Sequence, residues 1–467
     1  MFKYKYDTDG YLNKFKARIC VRGDLQNTQQ DTYAATLAYR TFRALMAITA
    51  AFDLEIVQLD AVNAFLNSDI NEEIYVHYPE GFKQPGQALR LRRALYGLRQ
   101  SPLLWYEDLT ETLKTLGLVP ILDANCLLSN GAIIVFFYVD DIIVLYHAKD
   151  SEAADNLLRQ LQQRYQMRRM KDANWFLGIR IIRDRATRRL WLCQDSYIDK
   201  LASKFDINCG ARLPDTPLVS GAVLLPYEGQ ASQQEIYGYQ QRIGSINFPA
   251  ITTRPDIAKP CSILSQFLQN PGPIHQAAAD RVIAYLVRTK HLAIEYSGQE
   301  VSPERPQRFE CYSDAAFADN LDRRSSDGYL FLLYGGPVDW KASKQKTVTT
   351  SSTEAELLAL SQAGKEAIQW RRILDGIEFS DSSATIKCDN LQTIRLLTKS
   401  NPQLATRLKH VDIHTHWLRQ EVQEGRIAIE WTPTASMRAD GFTKLLPGQR
   451  FKSFIKQLNL VDIQDRL

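Results

Sequence analysis

Apolar and polar residues follow each other along the chain with periods that predict both helices and strands. Residues 41–52 are rich in Ala, Leu and Met and predict a helix, and residues 54–60 alternate in polarity and predict a strand. Residues 131–146 form two apolar halves around Asp140 and Asp141, which is the pattern of a β-hairpin. Aspartates inside such strands need an explanation, because buried charge is costly unless it is paired or bound to metal.

The last third of the chain mixes strand and helix patterns. A strand is predicted over residues 309–313, another over residues 384–388, and a helix over residues 437–445. Residues 351–354 contain Ser and Thr followed three residues later by Glu, which predicts two overlapping capping boxes at a helix start. Strands and helices in this order indicate α/β or α+β layers.

Two stretches rich in Gly, Pro and polar residues, 208–234 and 298–308, predict boundaries, because such residues interrupt helices and strands. A chain of 467 residues is also too long for one ordinary domain. The predicted division is 1–207, 208–307, 308–445 and a C-terminal tail, 446–467.

Composition narrows the class of protein only a little. Apolar residues make up 45% and charged residues 24%, which is typical of a globular chain, and the net charge of +4 neither requires nor excludes nucleic acid. The seven cysteines include no CxxC pair, so neither a zinc ribbon nor a disulfide framework is indicated, and a reduced, intracellular protein is expected. The N-terminus is too polar for a secretory signal, and the most apolar run is too short to span a bilayer.

The first candidate site consists of Asp60, Asp140 and Asp141. If the strand that ends at Asp60 is a neighbour of the hairpin, three carboxylates converge and repel each other. Mg²⁺, a hard cation that prefers oxygen ligands, would stabilise such a cluster, and two such ions suit in-line phosphoryl transfer. The alternative is that Asp140 and Asp141 only mark a turn.

The second candidate site consists of four acids at comparable places: Asp314 at the end of a strand, Glu356 in the first turn of a capped helix, Asp389 at the end of a strand and Asp440 in the last predicted helix. A sheet edge and two helix ends can bring them together for two-metal chemistry with water as the nucleophile. The alternative is that Glu356 only complements a helix dipole and Asp389 only caps a helix.

Several sequence strings, in a fixed order, resemble one known family. In the first part of the chain they are residues 14–23 (KFKARICVRG), 58–67 (QLDAVNAFLN), 96–106 (YGLRQSPLLWY), 138–141 (YVDD), 176–179 (FLGI) and 253–258 (TRPDIA). In the last part they are residues 312–315 (YSDA), 351–357 (SSTEAEL), 388–390 (CDN), 409–413 (KHVDI) and 439–444 (ADGFTK). Together they resemble the reverse transcriptase and ribonuclease H of copia-type LTR retrotransposons, the C-terminal part of the Pol polyprotein.

This resemblance implies an α+β fold: a right-hand polymerase with fingers, palm and thumb, followed by an α/β ribonuclease H-like domain. The implied boundaries are fingers and palm over 1–207, thumb or connection over 208–307 and ribonuclease H over 308–445.

The resemblance also assigns roles by position. Lys16 and Arg18 would contact the incoming triphosphate, and Phe65 would lie beneath the incoming sugar. The catalytic and metal-binding acids would be Asp60, Asp140 and Asp141 for polymerisation, and Asp314, Glu356, Asp389 and Asp440 for RNA cleavage. The cofactor implied is Mg²⁺, two ions per active site, with Mn²⁺ as a substitute.

The partners implied are an RNA template, a DNA primer, an RNA–DNA hybrid and deoxynucleoside triphosphates, without a membrane. A homo-oligomer or association with integrase is a further expectation, as is a cytoplasmic location in a virus-like particle or a nuclear one.

The sequence departs from the family in two places. Residues 1–5 resemble an internal strand of the fingers, so we expect an N-terminal truncation that leaves this strand without its partner. The histidine that many ribonucleases H carry before the last acid is absent. Two other functions therefore stay open: a catalytically impaired remnant that only binds nucleic acid, and a ribonuclease H on a dead polymerase scaffold.

Overall fold

A computed structural model describes residues 2–6, 11–26, 31–170, 172–207, 213–298, 309–379, 384–398 and 409–466. The chain forms two compact units, described separately below. The first comprises Met1–Ala38 and Glu55–Ala173, and the second comprises Tyr39–Leu54 and Asn174–Leu467.

The strands are, in chain order, β1 (Phe2–Tyr6), β2 (Leu12–Ala17), β3 (Glu55–Ala61), β4 (Tyr75–Val76), β5 (Leu89–Arg90), β6 (Val119–Pro120), β7 (Leu127–Ser129), β8 (Ile133–Tyr138), β9 (Asp141–Tyr146), β10 (Met167–Arg169), β11 (Trp175–Phe176), β12 (Ile179–Asp184), β13 (Arg189–Cys193), β14 (Leu292–Ser297), β15 (Phe309–Ala316), β16 (Ser326–Leu333), β17 (Gly336–Lys344), β18 (Ala384–Cys388), β19 (Ile427–Trp431) and β20 (Leu460–Asp462).

The α-helices are α1 (Tyr39–Phe52), α2 (Ser101–Thr115), α3 (Ser151–Arg164), α4 (Asp195–Lys204), α5 (Gln233–Thr252), α6 (Ala258–Leu264), α7 (Pro273–Arg288), α8 (Ser352–Gly376), α9 (Leu391–Thr398), α10 (Lys409–Gln423), α11 (Asp440–Thr443) and α12 (Gly448–Gln457).

The first unit is built on an antiparallel sheet with the strand order β10-β3-β9-β8-β7-β6. Its two central strands, β8 and β9, form the predicted hairpin, and their apolar side chains are almost all buried. A strand that is buried on both faces reads as a continuous apolar run, which is why residues 133–137 and 142–146 lack alternation. The sheet therefore presents β3 and β9 side by side.

The N-terminal strand is not left without a partner, contrary to our expectation. Strand β1 pairs with β2 in an antiparallel hairpin, and Tyr4 lies opposite Phe15 in its register. Their rings contact edge to face with centroids 5.6 Å apart. Cross-strand aromatic pairs stabilise hairpins, so the chain supplies the partner strand from its next residues.

The second unit contains a mixed sheet with the order β17-β16-β15-β18-β19. Strands β15, β16 and β17 are antiparallel, whereas β18 and β19 run parallel to β15. The long helix α8 packs on this sheet through small and apolar side chains, including Ala359, Ala363 and Trp370, which are buried. A mixed sheet of this strand order covered by a long helix is what we expected of the ribonuclease H-like part, and the predicted α+β class is confirmed.

A separate antiparallel sheet of the second unit has the order β11-β12-β13-β14-β20. Its edge strand β20 comes from residues that we predicted to be a tail. There, Phe451 and Phe454 of α12 are buried, and β20 pairs with β14. The predicted division into 1–207, 208–307, 308–445 and 446–467 stays a prediction.

Helix α1 belongs to the second unit through specific contacts of two arginines. The buried Arg43 guanidinium donates to the carbonyl of Val338 at 2.7 Å and stacks on the Trp340 ring at 3.9 Å. Burial lowers the pKa of Arg43 to about 10. Arg40 forms ion pairs with Asp339 and Glu366. Because these partners lie on β17 and α8, α1 is part of this unit's core.

Within the described ranges, the helices lack the combination of length and apolar character that crossing a membrane requires.

Candidate metal centres

Asp60 and Asp141 are directly opposite each other on β3 and β9. The Ala61 amide donates to the Asp140 carbonyl at 2.8 Å, so Asp60 and Asp141 form a pair without mutual backbone hydrogen bonds. Side chains of such a pair share one face of the sheet and approach closely. The structure therefore brings two of the three predicted polymerase acids together.

Asp140 lies in the two-residue turn between β8 and β9, after Val139. Val139 has a φ of 56°, a left-handed conformation that is strained for a β-branched residue. The Trp105 indole donates to the Val139 carbonyl at 2.6 Å and so holds this turn. Strained backbone of this kind is often found at functional sites.

The charges of this first centre oppose each other. Burial, and then repulsion from Asp140 and Asp60, raise the pKa of Asp141, although the Gln58 amide donates to its carboxylate at 3.4 Å. In the described chain, the carboxylate oxygens of Asp60, Asp140 and Asp141 do not form a compact set like that of the second centre. A metal shared by all three stays a prediction.

The predicted nucleotide-binding residues lie around Tyr96, a residue for which no role was predicted. The Arg18 guanidinium lies 4.3 Å from the centroid of the Tyr96 ring, and the Phe65 ring lies 4.8 Å from it. Burial, followed by repulsion from Asp140, raises the pKa of Tyr96. Lys16 belongs to β2, but its side chain lies outside the described residues.

The glycine that follows Tyr96 is the sequence feature that could have indicated its position in this site. Gly97 has a φ of 93°, and a Cβ at this position would lie 2.1 Å from the Val21 carbonyl oxygen. The Val21 amide in turn donates to the Tyr96 carbonyl at 2.8 Å. Only glycine allows this close approach, which positions Tyr96 beside Val21.

The second centre gathers Asp314, Glu356 and Asp389, and one carboxylate oxygen from each lies within 4.8 Å of those of the other two. Asp314 lies inside β15 rather than at its end as predicted, because β15 extends two residues further, to Ala316. Asp389 directly follows β18, the parallel neighbour of β15, and continues the register in which Tyr312 pairs with Lys387. Parallel strands thus place the two aspartates level with each other.

Glu356 is the acid of this centre whose pKa is raised well above its ordinary value. It is 6% exposed, its Oε1 accepts from the Ala315 amide at 3.4 Å, and its Oε2 has no hydrogen-bond partner among the described residues. Burial, and then repulsion from Asp314 and Asp389, raise its pKa well above the ordinary value. A buried carboxylate oxygen without a partner, next to two more carboxylates, fits a hard divalent cation.

The helix cap separates the roles of the two nearby glutamates. Ser351 caps α8 and accepts from the Glu354 amide at 3.2 Å, as predicted. In a capping box the Glu354 carboxylate would accept from the Ser351 amide. Instead it accepts from the amide and hydroxyl of Thr350, the residue before Ser351. Glu354 is thereby held at the helix start, and Glu356 is left to face the aspartates.

Asp440 lies beside this set rather than inside it. Its carboxylate accepts from Lys444 Nζ at 2.5 Å and lies 3.6 Å from Arg450. The helix predicted over residues 437–445 is shorter in the structure: only Asp440–Thr443 is helical, and Lys444 adopts extended backbone angles. The extended Lys444 and the contacts it makes were the part of the site that we missed.

Comparisons with known proteins agree with the strings quoted above. Residues 1–219 match the family described as "Reverse transcriptase (RNA-dependent DNA polymerase)". The chain is 32% identical to a retrovirus-related Pol polyprotein from transposon TNT 1-94 of Nicotiana tabacum, over 97% of the chain and 34% of the relative. It is 32% identical to the Pol polyprotein from transposon RE1 of Arabidopsis thaliana, over 99% of the chain and 31% of the relative. The chain thus spans about a third of the length of these relatives.

Three further proteins are similar to this chain, one by sequence and two among solved structures. A putative transposon Ty5-1 protein of Saccharomyces cerevisiae is 35% identical over 66% of the chain and 100% of that protein. Among solved structures, ribonuclease H1 of Halobacterium salinarum has a TM-score of 0.22 and 19% identity, over 29% of the chain and 93% of that structure. A foamy viral protease-reverse transcriptase with double-stranded DNA has a TM-score of 0.21 and 12% identity, over 81% of the chain and 59% of that structure.

The Ty5-1 relative is matched over its whole length and the Pol relatives over nearly the whole of this chain. The chain therefore belongs to the reverse transcriptase family of Ty1/copia-type retrotransposons.

Proposed function

We propose that this chain is an RNA-directed DNA polymerase that also cleaves the RNA strand of RNA–DNA hybrids during retrotransposition. The observation that carries the proposal is the presence of two carboxylate centres on two different sheets, one containing Asp60 and Asp141 and the other containing Asp314, Glu356 and Asp389. Two separate centres suit two separate phosphoryl-transfer reactions.

In the polymerase centre, Asp60, Asp140 and Asp141 would hold Mg²⁺, with Mn²⁺ as a substitute. When bound, two such ions would activate the primer 3′-hydroxyl and neutralise the triphosphate. The Val139 turn presents the carboxylate of Asp140, and the β3–β9 register presents those of Asp60 and Asp141. The chain's part in the reaction is to hold these acids at one end of a rigid sheet.

Arg18, Phe65 and Tyr96 would bind the incoming deoxynucleoside triphosphate, together with Lys16. The Arg18 cation would contact the phosphates, and the Phe65 ring would exclude a ribose 2′-hydroxyl. Phe65 is 8% exposed and packs on Tyr96, so it has little freedom to move away from a larger sugar. The template would be RNA and the primer DNA.

In the ribonuclease H centre, Asp314, Glu356, Asp389 and Asp440 would hold Mg²⁺. Bound there, the ions would activate water for attack on the RNA phosphodiester. The Thr434 hydroxyl donates to Asp389 at 2.9 Å and the Thr443 hydroxyl donates to Asp314, so these two acids are oriented before any ion binds. Such outer contacts fix the direction of metal ligands.

Two further expectations stay predictions. The first is that the chain forms a homo-oligomer or associates with integrase. The second is that it acts in cytoplasmic virus-like particles or in the nucleus.

The proposal is tested by two assays on the purified chain with Mg²⁺: extension of a DNA primer on an RNA template, and cleavage of an RNA–DNA hybrid. We expect Asp141→Asn to abolish extension and spare cleavage, and Asp389→Asn to do the reverse. Asp172→Asn, at an exposed position, is the matched control. Cleavage without extension by the unmodified chain would indicate a ribonuclease H on a dead scaffold, and hybrid binding without either activity would indicate a remnant.

A further inference from the structure

A lysine lies among the acids of the second centre. Lys444 Nζ is 2.5 Å from Asp440 Oδ1 and 3.5 Å from Asp314 Oδ2. The side chains of Asp440 and Asp314 are 8% and 3% exposed, whereas that of Lys444 is 44% exposed. The lysine thus reaches from the surface to two buried carboxylates.

The backbone holds Lys444 in this position. The Lys444 amide donates to the Asp440 carbonyl at 3.0 Å, which closes the short helix α11. The preceding Thr443 side chain is buried and donates to Asp314. Lys444 and Thr443 therefore approach Asp314 as consecutive residues of one turn, and the ammonium is directed inward by this geometry.

The centre consequently has two unlike halves. In one half, Glu356 Oε2 is buried without a hydrogen-bond partner among the described residues, so a cation can bind it without breaking a contact. In the other half, Asp440 and Asp314 already contact an ammonium. One half offers an open ligand, and the other offers ligands that are already paired.

We propose that Lys444 is a positioning residue that occupies the place of a second cation between Asp314 and Asp440. This inference rests on the proposed function of the site. An ion held by Glu356 and Asp389 leaves the ammonium in place, whereas an ion between Asp314 and Asp440 displaces it. Lys444 also lines an open cavity of about 650 Å³, together with Lys259 and Asp319, so the displaced side chain has room to move.

The competition gives the two ions unequal affinities. Breaking a close contact between an ammonium and carboxylates opposes binding of the second ion, and a neutral side chain at this position would remove that opposition. Lys444 also keeps Asp314 and Asp440 from repelling each other when the ion is absent. The residue therefore stabilises the Asp440 half of the centre without metal and weakens the binding of an ion there.

The test is Mn²⁺ binding to the full-length chain without nucleic acid, measured by calorimetry and electron paramagnetic resonance. The background carries Asp60→Asn and Asp141→Asn, which removes ligands of the polymerase centre. Lys444→Met and Lys444→Gln remove the charge, Lys444→Arg keeps it, and Lys346→Met is the control at an exposed lysine. Circular dichroism establishes that each variant is folded.

We expect one tight and one weak ion for the background chain and for Lys444→Arg and Lys346→Met. In each folded neutral variant, Lys444→Met or Lys444→Gln, the affinity for the weak ion should rise by at least about tenfold. If the affinity for the weak ion is unchanged in these variants, the proposed role of Lys444 is overturned, whereas the metal centre itself is still supported. Failure of every variant, including the control, to bind Mn²⁺ overturns the proposed function itself. Unfolding of both neutral variants with a folded Lys444→Arg also overturns the proposal, because the charge would then be needed for folding rather than for ion competition.

Discussion

The Asp60 and Asp141 side chains share one face of the sheet because the two residues are paired directly across β3 and β9. Their like charges, together with Asp140, raise the pKa of Asp141 after the effect of burial. A cation between them would relieve this repulsion. The pairing therefore links the fold of the sheet to the chemistry that we propose for this centre.

The first prediction concerns the loss of one of these carboxylates. Asp60→Asn should lower the rate of primer extension by at least about a hundredfold, because losing a metal ligand costs at least as much as losing a contact that orients one. Hybrid cleavage by the same preparation should be unchanged. Extension within about twofold of the unmodified chain would show that Asp60 is not a ligand.

The second prediction concerns the choice of sugar. Phe65→Ala should allow ribonucleotides to be incorporated at least about tenfold more often, because the ring that packs on Tyr96 would be gone. Tyr96→Phe keeps the supporting ring and should preserve the selectivity, whereas Tyr96→Ala should reduce it.

The measurement is single-nucleotide incorporation with deoxyribo- and ribonucleoside triphosphates in parallel. Phe82→Ala is a matched control, since Phe82 is 73% exposed. If Phe65→Ala keeps its preference for deoxyribonucleotides, Phe65 is only a packing residue.

The third prediction concerns Glu356 and stability. Glu356→Gln should stabilise the metal-free chain by about 1–3 kcal/mol, because a buried carboxylate that faces two aspartates is replaced by a neutral amide. The stabilisation that Mg²⁺ adds should shrink in the same variant. Thermal unfolding with and without Mg²⁺ measures both effects, and a less stable metal-free variant would contradict the first.

The fourth prediction concerns pH. His275 Nδ1 accepts from the Gly272 amide at 2.8 Å, and Nε2 contacts the Leu225 carbonyl at 3.0 Å, so the neutral ring that donates from Nε2 fits both partners. Burial lowers the pKa of His275. The folded state therefore binds this proton less readily than the unfolded state, and the contribution of the neutral ring to stability is present above the unfolded pKa and is lost as pH falls through the folded one.

We thus expect the free energy of unfolding to fall between about pH 7 and pH 5. In His275→Gln this part of the pH dependence should be reduced, since glutamine does not titrate. Chemical unfolding at several pH values measures the slope, and equal slopes for the two proteins would show that other groups dominate.

Local patterns predicted the elements that carry most of the acids. The β8–β9 hairpin, the strand Ala384–Cys388 and the cap at Ser351 depend on neighbouring residues, and each was found where the sequence indicated. The strand that precedes Asp389 ends at Cys388, as predicted.

Features that depend on distant contacts could not be predicted in this way. Lys444 follows Asp440 by four residues, and in sequence the two look like an ordinary pair of surface charges on a helix. Only the fold brings Asp314 next to Lys444. Tyr96 gained its role from Arg18 and Phe65, which are far away in sequence. Strand β20 lies in residues for which we predicted a tail, since its partner β14 lies more than a hundred residues earlier and the pairing leaves no local pattern.

Helix α1 has a consequence for synthesis of the chain on the ribosome. Arg40 meets Asp339 and Glu366, which follow it by 299 and 326 residues. At about 5–20 residues per second, roughly 15–60 s pass before these partners exist. An isolated helix of 14 residues is marginal in water. Helix α1 directly precedes β3 in the chain. The sheet that contains β3 and β9 can therefore form before the ribosome has synthesised the residues that α1 packs against.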